Sequence, residues 1–442
     1  MKLPDYAETI IKRLNDGGYD AYAVGGCVRD LLLGETPKDY DFTTNASPEQ
    51  IKQVFSDCRT FDCGIRFGTV GVSVGGETVE ITAYRRDGGY SDHRRPDRVT
   101  FSEKLSEDLM RRDFTINAMA FAPSESLIDL FGGQTDLTRR LIRAVGEPEN
   151  RFREDALRIL RALRFASCLD FRIEEETSAA IHRCAGLLKN ISGERIYAEL
   201  TKLLCGKGCE TVLREYPDVL AVIIPEISAC VGFEQRTKYH DRDVYEHTIG
   251  AVTAIEPKPH LRLAMLLHDL AKPDFFTLTD GTGHFKGHAK GSVVIAERVM
   301  KELKTDSAFA ERVCALVKYH DMTIENRVPL LKRYLNRFGA ELLLELIQVH
   351  IADDTAKAAE FRERIQEYRK AAKTVREILK EEQCFRIRDL AVDGNDLLAL
   401  GLRGKAVGDT LRHLLDGVID EKYENQKKAL LEAAKSYKEK NE

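Results

Sequence analysis

The sequence predicts an α+β protein, in which a small mixed-sheet unit is followed by a mostly α-helical remainder. Two observations predict this fold class. Short β-rich runs alternate with a helical opening and Gly-rich turns up to about residue 145, and after Pro148 apolar residues recur at helical spacing to the end. The length of 442 residues corresponds to about three domains of ~150 residues each, so we expect several structural units.

Composition excludes several classes of protein. Hydrophobic residues make up 43% and charged residues 31%, which excludes collagen-like and wholly disordered chains. No apolar run approaches the ~20 residues that span a bilayer, and the opening lacks the apolar core of a signal peptide, so we expect a cytoplasmic protein with no membrane partner. The ten cysteines show no CxxC spacing, which argues against a zinc ribbon and a disulfide framework.

A pair of aspartates marks the first candidate site. Asp39 and Asp41 flank one residue of a short strand-like run, so the two-residue period of a strand points both carboxylates to one face. A third acid, Glu80, lies in the strand-like run TVEITAYR, which an adjacent strand could bring to the same cluster. Clustered acids repel one another unless a cation neutralises them, and oxygen ligands suit Mg²⁺. The pattern therefore predicts a magnesium site.

A Gly-Gly turn precedes these acids. Gly25 and Gly26 end a strand-like run, a helix follows them, and Arg29 comes three residues later. Backbone N–H groups at such a turn can hold phosphate oxygens, and an arginine adds a charge-assisted donor. The turn and the acids together predict a site for a nucleoside triphosphate and its metal.

Six segments in chain order carry a family resemblance. They are GGCVRDLLLG, DYDFTT, RRDFTINAMA, LIDLFGGQTDL, REDALRILRALRFA and SGERIYAEL. The set resembles the class II tRNA nucleotidyltransferase and bacterial poly(A) polymerase superfamily, densely over the first 205 residues and more weakly near the end of the chain. The resemblance implies four parts: a nucleotidyltransferase head (1–145), a helical neck with a nucleotide- and RNA-binding helix (146–205), a helical body (206–356) and a tRNA-binding tail (357–442).

The resemblance also implies an activity and site roles. The family adds nucleotides to RNA 3′ ends without a template, so we expect addition of C, C and A to the tRNA 3′ end from CTP and ATP. By resemblance, Asp39 and Asp41 would bind two Mg²⁺ with Glu80 as a supporting acid, and the turn at Gly26 with Arg29 would hold the triphosphate. This assignment agrees with the demands of in-line phosphoryl transfer.

The bases would be read by protein side chains. Asp155 and Arg158 are spaced i, i+3 at the start of a predicted helix, which places them on one helix face. A carboxylate acceptor beside a guanidinium donor matches the amine and ring nitrogen of cytosine and adenine and mismatches uracil and guanine. By resemblance these two residues are the base readers, with further nucleotide contacts from Arg112, Arg161 and Arg164. Glu154 could orient Arg158.

An ordered series of histidines and aspartates in the helical region predicts a second metal site. The series is His247, His268-Asp269, His288, His320 and Asp353-Asp354. It resembles the HD phosphohydrolase superfamily, and mixed imidazole and carboxylate ligands suit Ni²⁺, Mn²⁺ or Co²⁺ better than Mg²⁺. By this likeness the first ligands are His247, His268, Asp269 and either Asp353 or Asp354. By the same likeness, His288 and His320 would bind a second metal or a phosphate.

Three alternative functions stay open from the sequence. The segment between Arg86 and Asp108 resembles the flexible loop of full CCA-adding enzymes at residues 94–97, and GIRFGTV with Ala156 favours CCA addition over poly(A) synthesis. An A-adding tRNA nucleotidyltransferase and a bacterial poly(A) polymerase are the alternatives within the family. An HD phosphohydrolase with an RNA-binding head is the alternative from another class.

Overall fold

The computed structural model describes residues 1–89 and 98–441 and confirms the predicted α+β organisation. One mixed sheet lies in the N-terminal region, and the rest of the described chain is mostly helical. The chain divides into two compact units. The first unit is Met1–Ser228 with Glu302–Lys304, and the second is Ala229–Lys301 with Thr305–Glu442.

The sheet of the first unit has seven strands in the order β3-β4-β5-β2-β1-β8-β9. Strand β2 pairs with β5 in parallel, and its other neighbour β1 is antiparallel, so the sheet is mixed. The strand-like runs DAYAVGG, DYDFTT, GTVGVSV and TVEITAYR form β1, β2, β4 and β5. The strands of the first unit are β1 (Ala21–Val24), β2 (Asp41–Thr44), β3 (Thr60–Gly64), β4 (Thr69–Val74), β5 (Glu77–Ala83), β6 (Arg85–Gly88), β7 (Arg98–Phe101), β8 (Met119–Phe121), β9 (Ile128–Asp129), β10 (Leu141–Ile142) and β11 (Arg172–Ile173).

Helices cover the sheet and continue beyond it. Helix α3 begins with a capping box, in which the Ser47 side chain accepts from the Gln50 N–H and the Gln50 side chain accepts from the Ser47 N–H. The helices of the first unit are α1 (Asp5–Asp16), α2 (Gly26–Leu32), α3 (Pro48–Val54), α4 (Leu105–Met110), α5 (Gly133–Arg139), α6 (Pro148–Glu154), α7 (Leu157–Leu169), α8 (Glu175–Cys184), α9 (Gly193–Leu204), α10 (Cys209–Glu215), α11 (Pro217–Ala221) and α12 (Ile227–Cys230), the last of which ends in the second unit.

The second unit is helical apart from one short hairpin. The side chains of Asp243 and Asp306 cap the first turns of α13 and α16. Its helices are α13 (Val244–Ala254), α14 (Pro259–Leu267), α15 (His288–Glu302), α16 (Ser307–Tyr319), α17 (Val328–Ala356), α18 (Arg364–Lys380), α19 (Gly394–Ala399), α20 (Lys405–Ile419) and α21 (Lys427–Asn441). The hairpin strands are β12 (Thr277–Thr279) and β13 (Thr282–His284).

Helix α17 is interrupted at Gly339, whose φ of 74° lies in the left-handed region that glycine adopts without strain. Among the described residues, no helix combines the length and the apolar character that crossing a bilayer requires.

Candidate functional site

The three predicted acids of the first site lie around the start of β2, beside the middle of the neighbouring strand β5. Strand β2 begins at Asp41, and its register with the parallel strand β5 pairs Asp41 with Glu80. Asp39 stands two residues before Asp41, and all three residues are exposed. Packing around its carboxyl group and the charges of Asp39 and Glu80 raise the pKa of Asp41, and the nearby Arg112 guanidinium partly offsets this increase. Negative charge is thus concentrated where β2 begins. We call this group of Asp39, Asp41 and Glu80 the acidic edge.

This donor set fits a hard divalent cation. The three side chains offer carboxylate oxygens alone, which are the ligands that Mg²⁺ prefers. Desolvation raises the pKa of Asp41 most, and the charges of Asp39 and Glu80 add to the increase, so a cation bound here would favour the charged carboxylate. In the described part of the chain, these three acids do not bring their oxygens within 4.8 Å of one another, which distinguishes them from the histidine-rich clusters described below.

The Gly-Gly turn lies beside this acidic edge. Gly25 has a φ of 80°, which favours glycine, and α2 begins at Gly26. A Cβ atom on Gly25 would lie 3.1 Å from Nη1 of Arg112, so this guanidinium covers the turn. Arg29 donates to Asp30 and, at 2.8 Å, to Oδ1 of Asn117. The structure therefore places two guanidinium groups next to the backbone of the turn.

The predicted base readers lie where two helices meet, rather than within one helix. Asp155 has extended backbone angles (φ −136°, ψ 103°), and it ends α6 just before α7 begins. Its Oδ1 accepts from the Leu157 N–H and its Oδ2 accepts from Nη2 of Arg195 at 2.9 Å. The expectation of a shared face on one continuous helix is therefore corrected, because the chain breaks at Asp155.

Arg158 is held by other partners. Its guanidinium donates to Oε2 of Glu154 at 2.6 Å and to the backbone carbonyls of Arg151 and Arg111. The contact with Glu154 is the one expected from the sequence. The Arg158 N–H donates to the Asp155 carbonyl oxygen at 2.9 Å, but within the described residues no hydrogen bond or ion pair joins their side chains.

The two further arginines of α7 are each paired with a buried acid. Arg161 binds Asp113 through Nε and Nη2 at 2.8 and 2.6 Å, and Nε of Arg164 donates to Glu199 at 2.5 Å. Burial raises the pKa of Asp113, but the charge and hydrogen bonds of Arg161 outweigh this effect and lower the pKa to about 2. No role was expected for Asp113, Glu199 or Arg195, although all three fall within the segments RRDFTINAMA and SGERIYAEL.

A second cluster of polar side chains lies wholly in the second unit. Ligand atoms of His247, His268, Asp269 and Asp353 lie within 4.8 Å of one another, and so do those of Asp269, His288 and His320. The two groups share Asp269. Its Oδ2 is 3.1 Å from Nε2 of His268, and its Oδ1 is 3.2 Å from Nε2 of His288. One carboxylate thus faces both groups.

Backbone carbonyls orient three of these histidines. Nδ1 of His268, His288 and His320 lies 2.6 to 2.8 Å from the carbonyl oxygen of the residue three positions earlier. A carbonyl oxygen can only accept, so each Nδ1 carries a hydrogen and each Nε2 points into the cluster. Metal-binding histidines are commonly oriented in this way.

Two lysines complete the cluster. Nζ of Lys272 lies 2.7 Å from Asp269, and Nζ of Lys357 lies 2.6 Å from both Asp353 and Asp354. Burial lowers the pKa of His268, but contact with Asp269 and Asp353 outweighs it and raises the pKa to about 9. The structure brings Asp353 rather than Asp354 into the metal-ligating group. Lys357 was not identified from the sequence, because it falls outside the histidine and aspartate series.

A cavity of about 670 Å³ opens at this cluster. Its wall includes Asp269, His288, His320 and Asp353, together with His240 and the cations Lys272, Lys357 and Arg364. Burial lowers the pKa of His240 to about 2, so this unanticipated histidine is uncharged. The cavity could hold a small anionic ligand beside the clustered histidines.

One candidate segment falls outside the described residues. The resemblance to the flexible loop rests on residues 94–97, whereas the description ends at residue 89 and resumes at residue 98. The strands β6 and β7 flank this gap and pair in antiparallel fashion.

Three family matches cover much of the chain. Residues 21–143 match "Poly A polymerase head domain", residues 170–230 match "Probable RNA and SrmB- binding site of polymerase A", and residues 288–434 match domain 2 of tRNA nucleotidyltransferase. These matches define a nucleotidyltransferase of the poly(A) polymerase and tRNA nucleotidyltransferase superfamily. His247, His268 and Asp269 lie between the second and third matches.

Relatives that align with nearly the whole chain show which members of this superfamily it resembles. The chain is 35% identical to a CCA-adding enzyme of Lactobacillus helveticus, over 97% of each chain. It is 34% identical to one of Enterococcus faecalis, over 99% of this chain and 97% of the relative. The crystal structure of the Bacillus stearothermophilus CCA-adding enzyme in complex with CTP is similar at a TM-score of 0.74 and 29% identity, covering 100% of this chain and 99% of that one. The chain belongs to the class II CCA-adding enzymes, which are tRNA nucleotidyltransferases.

Proposed function

We propose that this protein adds C, C and A to the 3′ end of tRNA from CTP and ATP, without a nucleic-acid template, in the cytoplasm. The observation that carries the proposal is an acidic strand edge beside a Gly-Gly turn in a chain that resembles CCA-adding enzymes along its whole length. The CTP in the similar Bacillus structure supports the choice of nucleotide.

Asp39 and Asp41 would hold Mg²⁺ in this proposal, with Glu80 as a supporting acid. Two Mg²⁺ ions would supply activation of the RNA 3′-hydroxyl and neutralisation of the leaving pyrophosphate. The protein's own contribution is to fix Asp41 beside Glu80 through the register of β2 and β5, with Asp39 two residues before Asp41.

The triphosphate would lie on the turn. The backbone of Gly25 and Gly26 and the guanidinium groups of Arg29 and Arg112 surround one short stretch of chain. Guanidinium groups bind phosphate oxygens in a fixed geometry, so they would hold the reacting phosphorus near the acidic edge.

Asp155 and Arg158 would read the base. They lie at the break between α6 and α7, where their side chains have separate partners instead of each other. A carboxylate acceptor and a guanidinium donor held apart can both contact one Watson–Crick edge, and only cytosine and adenine present the matching groups. Arg161 and Arg164 would make further nucleotide contacts.

The test uses three tRNA transcripts, ending before CCA, after C and after CC, each with one nucleotide at a time. The proposal requires incorporation of C, C and then A. Addition of A to the CC-ended transcript alone would indicate an A-adding enzyme, and long A tracts would indicate a poly(A) polymerase. No incorporation by folded protein with Mg²⁺ would favour an RNA-binding head.

We also propose that the chain has the four parts expected from the sequence, a head (1–145), a neck (146–205), a body (206–356) and a tail (357–442). In the tail (357–442), α18 carries the exposed cations Arg369, Lys370, Lys373, Arg376 and Lys380. A positively charged helix face suits the phosphates of tRNA. Its contribution to tRNA affinity should fall steeply with salt concentration.

A second candidate function is hydrolysis of phosphate esters in the second unit, by an HD domain. The observation that favours it is the pair of ligand groups that share Asp269 in a cavity with four cationic side chains, Lys238, Lys272, Lys357 and Arg364. Four histidines and two carboxylates fit Ni²⁺, Mn²⁺ or Co²⁺, which would supply activation of water for attack on phosphorus. Lys272 would bind a phosphate oxygen of the ester.

The test combines metal content with activity. Purified protein should contain a transition metal by elemental analysis, and Ni²⁺, Mn²⁺ or Co²⁺ should stimulate hydrolysis of a 2′,3′-cyclic nucleotide and a 2′-nucleotide more than Mg²⁺ does. Absence of both bound metal and hydrolysis would make the cluster structural.

A further inference from the structure

One face of α9 contacts both sides of the proposed nucleotide-reading surface. Arg195 and Glu199 are four residues apart in α9 and therefore lie on the same helix face. Nη2 of Arg195 donates to Oδ2 of Asp155 at 2.9 Å. Oε2 of Glu199 accepts from Nε of Arg164 at 2.5 Å, and its Oε1 is 4.0 Å from Nη1 of Arg161.

These contacts determine what Asp155 can do. A carboxylate among arginines tends to form an ion pair, and a bidentate pair with an arginine of α7 would occupy both oxygens that a base must reach. Arg161 is already close enough to Asp155 for their charges to interact. Arg195 and the Leu157 N–H each bind one oxygen of Asp155, which fixes the carboxylate and leaves each oxygen with further acceptor capacity.

A purely structural role explains Arg195 less well. Its Nη1 is buried and has no hydrogen-bond partner within residues 1–89 and 98–441. A buried donor without an acceptor lowers stability, so packing alone would favour another residue at this position. This loss of stability is explained if the guanidinium orients Asp155.

We propose that Arg195 and Glu199 are positioning residues for base selection. Arg195 holds Asp155 as an acceptor for the exocyclic amine of cytosine or adenine, and Glu199 keeps Arg164 and Arg161 from drawing Asp155 away. The proposal rests on the proposed function, in which Asp155 and Arg158 read the base. Neither positioning residue touches the substrate in this scheme.

The experiment measures kcat/KM for CTP against UTP on tRNA ending before CCA, and for ATP against GTP on tRNA ending in CC. Arg195→Ala should lower both preference ratios about tenfold, the effect of losing one charge-assisted hydrogen bond. Arg195→Lys should restore part of the preference because it retains a donor. Glu199→Gln should lower the ratios less, since Arg195 still holds Asp155.

The control variant is Arg183→Ala, which removes an ion pair with Glu149 at 2.6 Å in the same unit. It should leave both ratios unchanged. A structural role for Arg195 would lower the melting temperature and the rates with all four nucleotides equally, and that result would overturn the proposal. If Arg195→Ala does not fold, Arg195→Lys and Arg195→Gln must still lower the ratios.

Asp155→Ala separates the two hypotheses. If it leaves nucleotide preference unchanged, Asp155 is not a base reader and the proposed function is wrong at that residue. If it relaxes the preference and no Arg195 variant does, the positioning role alone is overturned. Adding Arg195→Ala to Asp155→Ala should change nothing further, because Arg195 acts through Asp155, and an additive effect would contradict the proposal.

Discussion

At the scale of single residues, the arginines of α7 are held by acids rather than by solvent. Asp113 binds Arg161, Glu199 binds Arg164, and Glu154 binds Arg158. Each acid limits the rotamers of a long side chain before any nucleotide arrives, which reduces the entropy lost on binding. These pairs therefore favour a preorganised site.

Replacing either aspartate of the acidic edge should abolish nucleotide transfer. We expect Asp39→Ala and Asp41→Ala each to lower kcat/KM about 10³-fold or more, because metal stabilisation of the transition state supplies several kcal/mol. The melting temperature should hardly change, since both residues are exposed. Single-nucleotide incorporation measures the first quantity and calorimetry the second. The control is Glu77→Ala, which removes another exposed acid of β5 and should leave transfer unchanged. Near-normal transfer by either aspartate variant would refute the metal assignment.

The Asp113–Arg161 pair should make stability depend on pH in the acid range. Because the pKa of Asp113 falls to about 2 in the folded state, its charged form stabilises the protein by about 2 kcal/mol above pH ~4, the ordinary carboxyl pKa. This contribution is lost as the pH falls from about 4 towards 2. We expect Asp113→Asn to be less stable than wild type at pH 7, with a difference that shrinks with acidification. Urea unfolding of both proteins between pH 7 and 3 tests this, and a difference independent of pH would contradict it.

Sequence reasoning identified single residues where a local pattern carries the chemistry. Asp41 and Glu80 lie in recognisable strands, whereas Asp39 precedes β2 and lies outside the strand alternation expected for it. Reasoning from the sequence did not identify Arg195 as the partner of Asp155, because 40 residues separate them and only the packing of α9 near the start of α7 brings them together. Long-range pairs of this kind leave no periodic pattern in one sequence.

At the scale of elements, helix boundaries were harder to predict than strands. The continuous apolar spacing from residue 157 concealed the break at Asp155, because one extended residue does not alter periodicity on either side. Asp155 accepts from the Leu157 N–H in the first turn of α7 and has the residue type of a helix cap, which is the signal that could have shown the break.

The contact between α7 and the end of α9 should tolerate no added methyl group. A Cβ atom on Gly206 would lie 2.6 Å from the carbonyl oxygen of Ser167, a backbone atom that cannot move aside cheaply. We expect Gly206→Ala to destabilise the protein by about 1 to 3 kcal/mol through overpacking. Thermal unfolding should show this as a lower melting temperature. Gly186→Ala is the matched control, because nothing lies within 4 Å of its Cβ, and equal effects of the two variants would contradict the argument.

At the scale of the whole molecule, each of the two units carries its own candidate chemistry. The acidic edge belongs to the first unit and the histidine clusters to the second. The ordered histidine and aspartate series predicted which residues converge in the second unit. It could not choose between Asp353 and Asp354, since adjacent residues of a helix differ only in direction, and the structure brings Asp353 into the group.

This separation predicts that the two activities can be removed one at a time. We expect His268→Ala and Asp269→Ala to abolish metal-stimulated ester hydrolysis and to leave CCA addition within about twofold of wild type, because the two sites share no residue and belong to different units, and independent sites act additively. Asp39→Ala should do the reverse. Parallel assays of both reactions on each variant provide the measurement. Loss of CCA addition in a correctly folded Asp269→Ala protein would show that the sites are coupled.

The pairing of Asp41 with Glu80 has an evolutionary consequence. The loops between β2 and β5 can change in length without moving either acid, provided that the two strands keep their register. One residue inserted within β5 before Glu80 would turn that acid to the opposite face and expose Ile81, which is fully buried. Lineages that retain a folded sheet therefore retain the register that places these two positions side by side, and gaps in alignments of relatives should accumulate outside these two strands.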